Sequence, residues 1–546
     1  SNLRFLKKEK KEYCKKMLVW IKQIIENKKI KISIASFFLF ICFFVLAYKN
    51  SFNSPWERDE GEYAYSAWLL DEGKIPYENS FLQKPPMIIY TYWIAHKINP
   101  DTFWPPRLLA AIFTFLTILL IGKIVRKEYG EKAGKFAIWI LVPMFTLPYL
   151  TPFSANVERF MLLPLLGVLA LYLNQREKKN KWPFFWAGFF GITAFLYKPV
   201  VALVLFFIIF VWFTENYLRT KNIKTVLYDF FLLLFGSISA AIIFLGYFII
   251  KDGGKELWEA AFIYNKYYMA QMGKYIPESF FKYVLILFSN WWILFIYTLV
   301  FFIVRPKRWW FYLGIVLFCL ISVFSSPIGH YYIMLMPFWA IVISSIVNRI
   351  CKVIIIDKKE ASPVFLKVLI VITLMLMFWK VENQFLLNPQ EQSIWIYGNR
   401  NPFVESPLVA EKVKEITKNS DKIFVAGSEP QIYYYSKRLS MSRFVITYPL
   451  IIDSPVREKY QKEIITEFEK ELPKVIVYSN REESGLFNDE SPRIFIDYLN
   501  KLIETKYFVV GGYFWKDDFN GYWEKLDNNL EKNNQASLLL YKLKES

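Results

Sequence analysis

The sequence predicts a polytopic α-helical membrane protein of about 11 spans, followed by an extracytoplasmic α/β region. Three observations carry this. Apolar stretches of roughly 17 to 20 residues, enough to cross about 30 Å of hydrocarbon, recur through the first 380 residues. Hydrophobic residues make up 55% and aromatic residues 19% of the 546 positions, above what soluble globular chains carry. After Lys380 the long apolar runs stop, and short β-branched segments alternate with polar ones.

In order along the chain, residues 1–31 form a basic arm. The arm is long and no small-x-small site follows the first apolar run, so the segment reads as a retained signal anchor rather than a cleaved signal peptide. The apolar stretches lie at Ile32–Tyr48 and near 106–126, 136–153, 158–173, 184–197, 199–213, 228–250, 283–304, 311–325, 329–347 and 364–379. The stretch 184–213 is interrupted by Tyr197-Lys198-Pro199. Two helices meeting at an outer turn fit it better than one long helix, because proline starts helices and seldom sits inside one.

The net charge of +19 would suit a nucleic-acid binder, but its distribution argues for topology instead. Arg126, Lys127, Lys132 and Lys135, then Arg219, Lys221 and Lys224, then Arg305, Lys307 and Arg308 gather in alternate loops, while the turns near 151–157 and 325–329 have no basic residues. Basic loops face the cytoplasm. With the N-terminus inside and 11 spans, the membrane region is 32–380, its first outer loop is 49–105, and the soluble region 381–546 lies outside. Of the four cysteines, Cys14, Cys42, Cys319 and Cys351, none falls in that exported region, so no disulfide framework holds it.

In the soluble region, Lys422–Ala426, Val475–Tyr478, Phe508–Val510 and Ser537–Leu543 read as strands. Helices are expected at Ser406-Pro407, Ser454-Pro455 and Ser491-Pro492, with serine as cap and proline at the first helical position. The stretch "GSEPQIYYYS" (427–436) sits where a strand hands over to a helix; Gly427 serves a plain turn or, less specifically, a ligand loop. No metal signature, nucleophile elbow or Walker loop is present.

The chemistry gathers in the first outer loop, "RDEGEYAYSAWLLDEGKIPYENSFLQKPP" (58–86). Asp59 as N-cap, Glu62 as its capping-box partner and Gly73 as a left-handed stop would account for a helix here. Capping leaves Glu60 unexplained, and one carboxylate can both cap and react. Lys84-Pro85-Pro86 opens the next helix. A lysine there adds to the positive end of the helix dipole and seats a phosphate, or else it snorkels to the headgroups. Glu158 with Arg159, Lys198, and His330 in "GHYYIMLMP" recur at the same outer level. Charges at membrane depth are expensive and face protein-lined cavities, although Glu158 and Arg159 could also simply pair. Such a set suits transfer of a group from a lipid phosphate. A carboxylate takes the proton of an incoming hydroxyl, cations hold the departing phosphate, and Tyr63, Tyr65, Trp68, Tyr90, Tyr92, Trp93, Tyr331 and Tyr332 supply an aromatic wall or interfacial anchors.

Asp59-Glu60, Tyr63-Ala64, Lys84-Pro85, Glu158, Lys198-Pro199, "HYYIMLMP" and "DKIFVAGSEPQIYYYSKR" together resemble the membrane glycosyltransferases of the C-type fold. The likeness is to bacterial relatives of protein O-mannosyltransferases and of the aminoarabinose transferase acting on lipid A. The resemblance implies an enzyme of the cytoplasmic membrane that moves a sugar from a polyprenyl-monophosphate carrier, such as undecaprenyl phosphate, to a hydroxyl on the outer face with inversion. It implies Asp59, with Glu60 and Glu158, as the catalytic carboxylates. It implies Lys84, with Arg58, Lys198 and His330, as the donor-phosphate site, and Tyr63, Tyr331, Tyr332 and Arg159 as substrate contacts. The acceptor is a glycan or lipid, or alternatively a protein Ser/Thr hydroxyl. Gln83 stands where the aminoarabinose branch commonly has glutamate, so a divalent metal is left open. Glu158 stands where relatives commonly have aspartate. A transporter or lipid flippase is the reading of another class; the paired halves with matched broken helices that would mark it are not seen.

Overall fold

The computed structural model describes residues 51–545 except 148–153, 176–179, 273–275, 325–328, 354–361, 380–385, 486–489, 518 and 528–532, with a few residues between 37 and 45. The chain forms two compact units, 1–49 and 50–546. The basic arm, the first apolar stretch, Cys14 and Cys42 lie outside the described residues, apart from those few positions between 37 and 45. The helices and the sheet belong to the second unit.

Its first part is helical. The helices are α1 (Arg58–Asp71), α2 (Met87–Ile98), α3 (Trp104–Tyr129), α4 (Glu131–Thr146), α5 (Val157–Gln175), α6 (Trp182–Tyr197), α7 (Ala202–Thr220), α8 (Ile223–Ile250), α9 (Gly254–Trp258), α10 (Tyr264–Met272), α11 (Ile276–Val304), α12 (Trp309–Val323), α13 (Met336–Ser344), α14 (Val347–Val353) and α15 (Ser362–Phe378). Among the described residues, six segments are long and apolar enough to cross a membrane: Trp104–Tyr129, Val157–Gln175, Pro199–Thr220, Ile223–Ile250, Phe280–Val304 and Gly329–Cys351. Three more apolar helices, Trp182–Tyr197, Trp309–Val323 and Val364–Phe378, are shorter. Among the described residues, each apolar stretch after the first falls on helical structure, and six segments reach spanning length. The expected break at Tyr197-Lys198-Pro199 is present. Lys198 is extended (φ −157°, ψ 121°), and a short 3-10 turn at Pro199–Val201 leads into α7.

The tightest helix pair is α6 with α8. A Cβ on Gly188 would overlap the Leu233 carbonyl, and one on Gly236 would overlap the Phe185 carbonyl. Small residues facing each other let two apolar helices approach backbone to backbone, where dispersion rather than hydrophobic exclusion does the holding.

The second part is an α/β layer. Its five-stranded sheet runs β1-β2-β5-β3-β4, with β1 (Ile423–Ala426), β2 (Val475–Ser479), β3 (Tyr507–Trp515), β4 (Gly521–Lys525) and β5 (Leu538–Leu543). Only β1 and β2 pair in parallel; the other pairs are antiparallel. The helices are α16 (Pro389–Tyr397), α17 (Ser406–Ile416), α18 (Gln431–Ser436), α19 (Tyr448–Ile451), α20 (Arg457–Lys470) and α21 (Ile494–Lys506). Phe424 of β1, Phe468 of α20 and Phe495 of α21 meet edge to face at 5.1 to 6.0 Å and tie the helices to the sheet. The expected strands are found, and β4 is additional. The serine caps are not. The helices begin at Ser406, Arg457 and Ile494, and the capping residues Glu405, Val456 and Arg493 give no side-chain cap. Ser406 instead donates to the Pro402 carbonyl at 2.5 Å.

Candidate active site

The start of α1 is built differently from the expected cap. Glu57, extended at φ −80° and ψ 174°, is the N-cap: its carboxylate accepts from the Asp59 amide at 3.0 Å, and Glu60 accepts from the Glu57 amide at 3.4 Å. Asp59 is thus a first-turn residue rather than the cap, and Glu62 is not the capping-box partner. This frees the Asp59 side chain. Gly73, just beyond the helix, does take the left-handed conformation (φ +66°).

The Lys84 segment is pinned from two sides. Tyr77 donates to the Lys84 carbonyl at 2.7 Å, and Asn265 of α10 donates to the Gln83 carbonyl at 2.6 Å. Pro85-Pro86 then gives way to α2 at Met87. From this fixed backbone the Lys84 ammonium reaches Asp59 Oδ1 at 3.3 Å and Glu62 Oε2 at 3.8 Å, and lies 5.6 Å from the Tyr63 ring centre.

These groups open onto a cavity of about 420 Å³. Asp59, Gln83, Lys84, Lys198, His330 and Tyr331 line it, with Phe262, Asn265, Lys266 and Tyr268 from the segment around α10. Glu158, buried at the start of α5, stands behind this wall, pairing with Lys198 and lying 3.6 Å from His330 Nε2. The Lys198 ammonium sits over the Tyr331 ring. Residues from four distant parts of the sequence therefore share one hollow.

Asp59 and Lys84 hold each other in their ionised forms. Burial alone would push the Asp59 carboxyl up, but the charges of Lys84, His330 and Lys198 outweigh it and hold it below the usual carboxylate range. Burial likewise opposes the Lys84 ammonium, and Asp59 and Glu62 overcome it, keeping it well above the usual lysine value. Glu62 is the exception: burial, with Asp59 adding to it and Lys84 opposing, lifts its carboxyl to about 7. Glu62, raised towards neutral pH, thus sits beside the Lys84 ammonium, which is held in its charged form.

Other expected site residues are elsewhere. Glu60 is fully buried and receives Arg107 through Nη2 at 2.5 Å and Nε at 2.8 Å, and the Ala155 amide at 2.9 Å. It does not line the cavity and braces the loop against α3. Arg58 turns to the α/β layer, where it meets Glu429 at 2.8 Å. Arg159 donates to Thr114 Oγ1 at 3.3 Å and to the Phe145 carbonyl at 3.2 Å. Tyr332 is buried against Tyr283, and Tyr63 lies beneath Lys84 and edge-on to Tyr92. Of the expected aromatic wall only Tyr331 faces the hollow. Tyr65 packs on Tyr433 and Trp68, Tyr90 donates to the Phe244 carbonyl, and Trp93 donates to Asp71. Phe262 and Tyr268 take their place.

The segment carrying Phe262 and Tyr268 was missed in the sequence. It contains a π-turn at Glu259–Ile263 between α9 and α10. Such turns bulge a helix and re-aim its side chains. The aromatic-rich "YNKYYMAQM" of α10, flanked by charge and too polar for a span, is the signal that could have marked it.

Among the described residues no three His, Cys, Asp or Glu side chains converge as a metal-binding group. Asp59 and Glu62 are both engaged by Lys84. The residues present do not fit a divalent ion, and no step is derived through one.

Residues 83–256 match the family model described as dolichyl-phosphate-mannose-protein mannosyltransferase. The structure is similar to the crystal structure of ArnT from Cupriavidus metallidurans in the apo state, at 13% identity, a TM-score of 0.57, and coverage of 90% of this chain and 98% of that one. It is equally similar to ArnT bound to undecaprenyl phosphate, at 12% identity, a TM-score of 0.58, and coverage of 90% and 97%. No curated protein matches the sequence. At such identities the likeness establishes the fold, that of the membrane glycosyltransferases of the C-type, and the family-model match over residues 83–256 lies within it.

Proposed function

We propose that this enzyme transfers a sugar from a polyprenyl-monophosphate carrier to a hydroxyl of a glycan or lipid at the outer face of the cytoplasmic membrane, with inversion. The observation that carries the reading is the shared cavity: Asp59, the basic side chains Lys84 and Lys198, and His330 line one hollow beside apolar helices. Undecaprenyl phosphate bound to ArnT, a protein of the same fold, supports a carrier of that class.

In this reading the carrier phosphate enters between Lys84 and Lys198 and draws Lys84 away from Asp59. The acceptor hydroxyl then donates its proton to Asp59 as its oxygen attacks the anomeric carbon from the side opposite the phosphate. The sugar–oxygen bond breaks, and its electron pair stays on the phosphate. The carrier leaves as a monoester with one more negative charge, which the lysines offset. A single displacement of this kind inverts the anomeric centre. Glu158 acts through Lys198 and His330 and so positions the phosphate side. The proposal includes 11 spans, a cytoplasmic N-terminus and an exterior 381–546 region.

A second reading of the acceptor, a protein Ser/Thr hydroxyl, is favoured by the description of the matching family model. Mass spectrometry of glycans, lipids and glycopeptides from a deletion strain separates the two. For the shared chemistry, Asp59→Asn should lower product by about 10²- to 10⁴-fold, the range of a lost general base. Full product from folded, membrane-inserted Asp59→Asn would remove Asp59 from the mechanism.

A further inference from the structure

The α1 helix is held on two sides, and only one belongs to the membrane region. Arg58, the neighbour of Asp59, donates Nη2 to Glu429 Oε1 at 2.8 Å and Nε to the Ser428 carbonyl at 2.5 Å. Glu429 is fully buried. It also accepts from Ser484 Oγ at 3.0 Å and from Gln431 Nε2 at 2.7 Å. Ser428 and Glu429 belong to the turn between β1 and α18, and Gln431 is the first residue of α18.

The same turn meets α1 again at Gly61. A Cβ there would lie 2.5 Å from the Gln431 nitrogen and 2.8 Å from its Cα, so the two backbones are in direct contact. One turn further, Tyr65 accepts from the Ser440 amide at 2.9 Å and packs on Tyr433 at 5.3 Å. Before the helix, the Trp56 amide donates to Tyr435 at 2.9 Å. Successive residues of a helix point about 100° apart. Arg58 therefore faces the α/β layer while Asp59 faces the cavity.

We propose that the Gly427–Gln431 turn is a positioning device for the transfer reaction. Glu429, through Arg58, sets the rotation of α1, and Gln431, against Gly61, sets its depth; together they aim Asp59. This rests on the reading of Asp59 as the base. Glu429 touches no reacting atom; it acts through geometry, where a displacement of about 1 Å costs on the order of 100-fold in rate.

The test uses the full-length chain, with two readouts. One is product per unit of inserted protein in the complemented deletion strain, by mass spectrometry. The other is the dissociation constant for undecaprenyl phosphate of the purified protein in lipid nanodiscs. Glu429→Gln, Arg58→Ala and Gly61→Ala should each lower product by about tenfold or more, with undecaprenyl phosphate affinity within about twofold of the parent. The Arg58→Ala/Glu429→Gln double variant should be no worse than its weaker parent, because both break one link. Parental product from Glu429→Gln, losses that multiply in the double variant, or loss of lipid binding in step with product would overturn the proposal. If Glu429→Gln does not insert, Ser484→Ala, which removes one donor to Glu429, decides by the same readouts. Asp59→Asn run alongside separates the two ideas. Product from Asp59→Asn would sink the base, whereas an inactive Asp59→Asn beside a fully active Glu429→Gln would sink only the positioning role.

Discussion

Replacing Arg107 by methionine tests how the segment leading into α1 is fastened. Arg107 is 2% exposed and Glu60 is fully buried. The guanidinium serves both Glu60 oxygens and also donates to the carbonyls of Ser51, Ser54 and Pro55. Methionine fills similar volume but leaves an unpaired buried carboxylate, which costs about 3 to 5 kcal/mol when one partner of a buried pair is removed. Three carbonyls lose a donor as well, at about 1 to 3 kcal/mol for each that water cannot reach. Glu60 keeps only the Ala155 and Glu57 amides, at 2.9 and 3.4 Å. A loss of roughly 4 kcal/mol or more is expected from Arg107→Met. The Glu60→Met/Arg107→Met double variant should recover part of it, because two apolar groups leave no stranded charge. Thermal unfolding of the purified protein in detergent, read at matched pH, measures both. A single variant within about 0.5 kcal/mol of the parent, the range of surface changes, would refute the reasoning, as would a double variant worse than Arg107→Met.

Other outcomes are equally checkable. Lys84→Ala should weaken undecaprenyl phosphate binding by at least about tenfold, the scale of one charge-assisted contact; unchanged affinity in the nanodisc assay would remove Lys84 from the phosphate site. Glu62 sets a pH dependence. Its carboxyl is raised from 4.5 to about 7, so its contribution to stability is fully present below 4.5 and lost as pH rises through 7. The span amounts to roughly 3 kcal/mol, and Glu62→Gln should flatten the stability profile there; an identical slope in both proteins would show that Glu62 titrates normally. A phosphatase reporter fused after Lys380 should be active outside the cytoplasmic membrane, and activity only in the cytoplasm would overturn the 11-span arrangement.

What the sequence made legible follows the range of each interaction. Asp59 and Lys84 could be picked out because their chemistry is written within one loop, and the α6–α7 break because Pro199 acts locally. Glu60 and Arg58 misled for the opposite reason. Their partners, Arg107 and Glu429, are 47 and 371 residues away, and no local pattern announces them. Asp59 looked like the helix cap because aspartate is the commoner capping residue; Glu57 takes that place, so the capping bonds are made by longer side chains and the shorter one is left for the cavity. Of the serine–proline starts, Ser406-Pro407 does open a helix, although Ser406 donates to the Pro402 carbonyl instead of capping, while Ser454 and Ser491 stand ahead of helices that begin at Arg457 and Ile494. Phe262 and Tyr268 escaped notice because a π-turn shifts the register that periodicity relies on.

The order of strands in the sheet bears on how the molecule is made. β5 lies between β2 and β3, so the β1–β2 ribbon and the β3–β4 ribbon join only through Leu538–Leu543. Two isolated ribbons are marginal in water. While a ribosome is still adding residues before that strand, the membrane helices can already be inserted, but the platform beneath Gly61 stays unfinished. The strand that closes the sheet is thus made after the other four, and a chain cut short of residue 538 would lack the join behind the turn that meets Gly61.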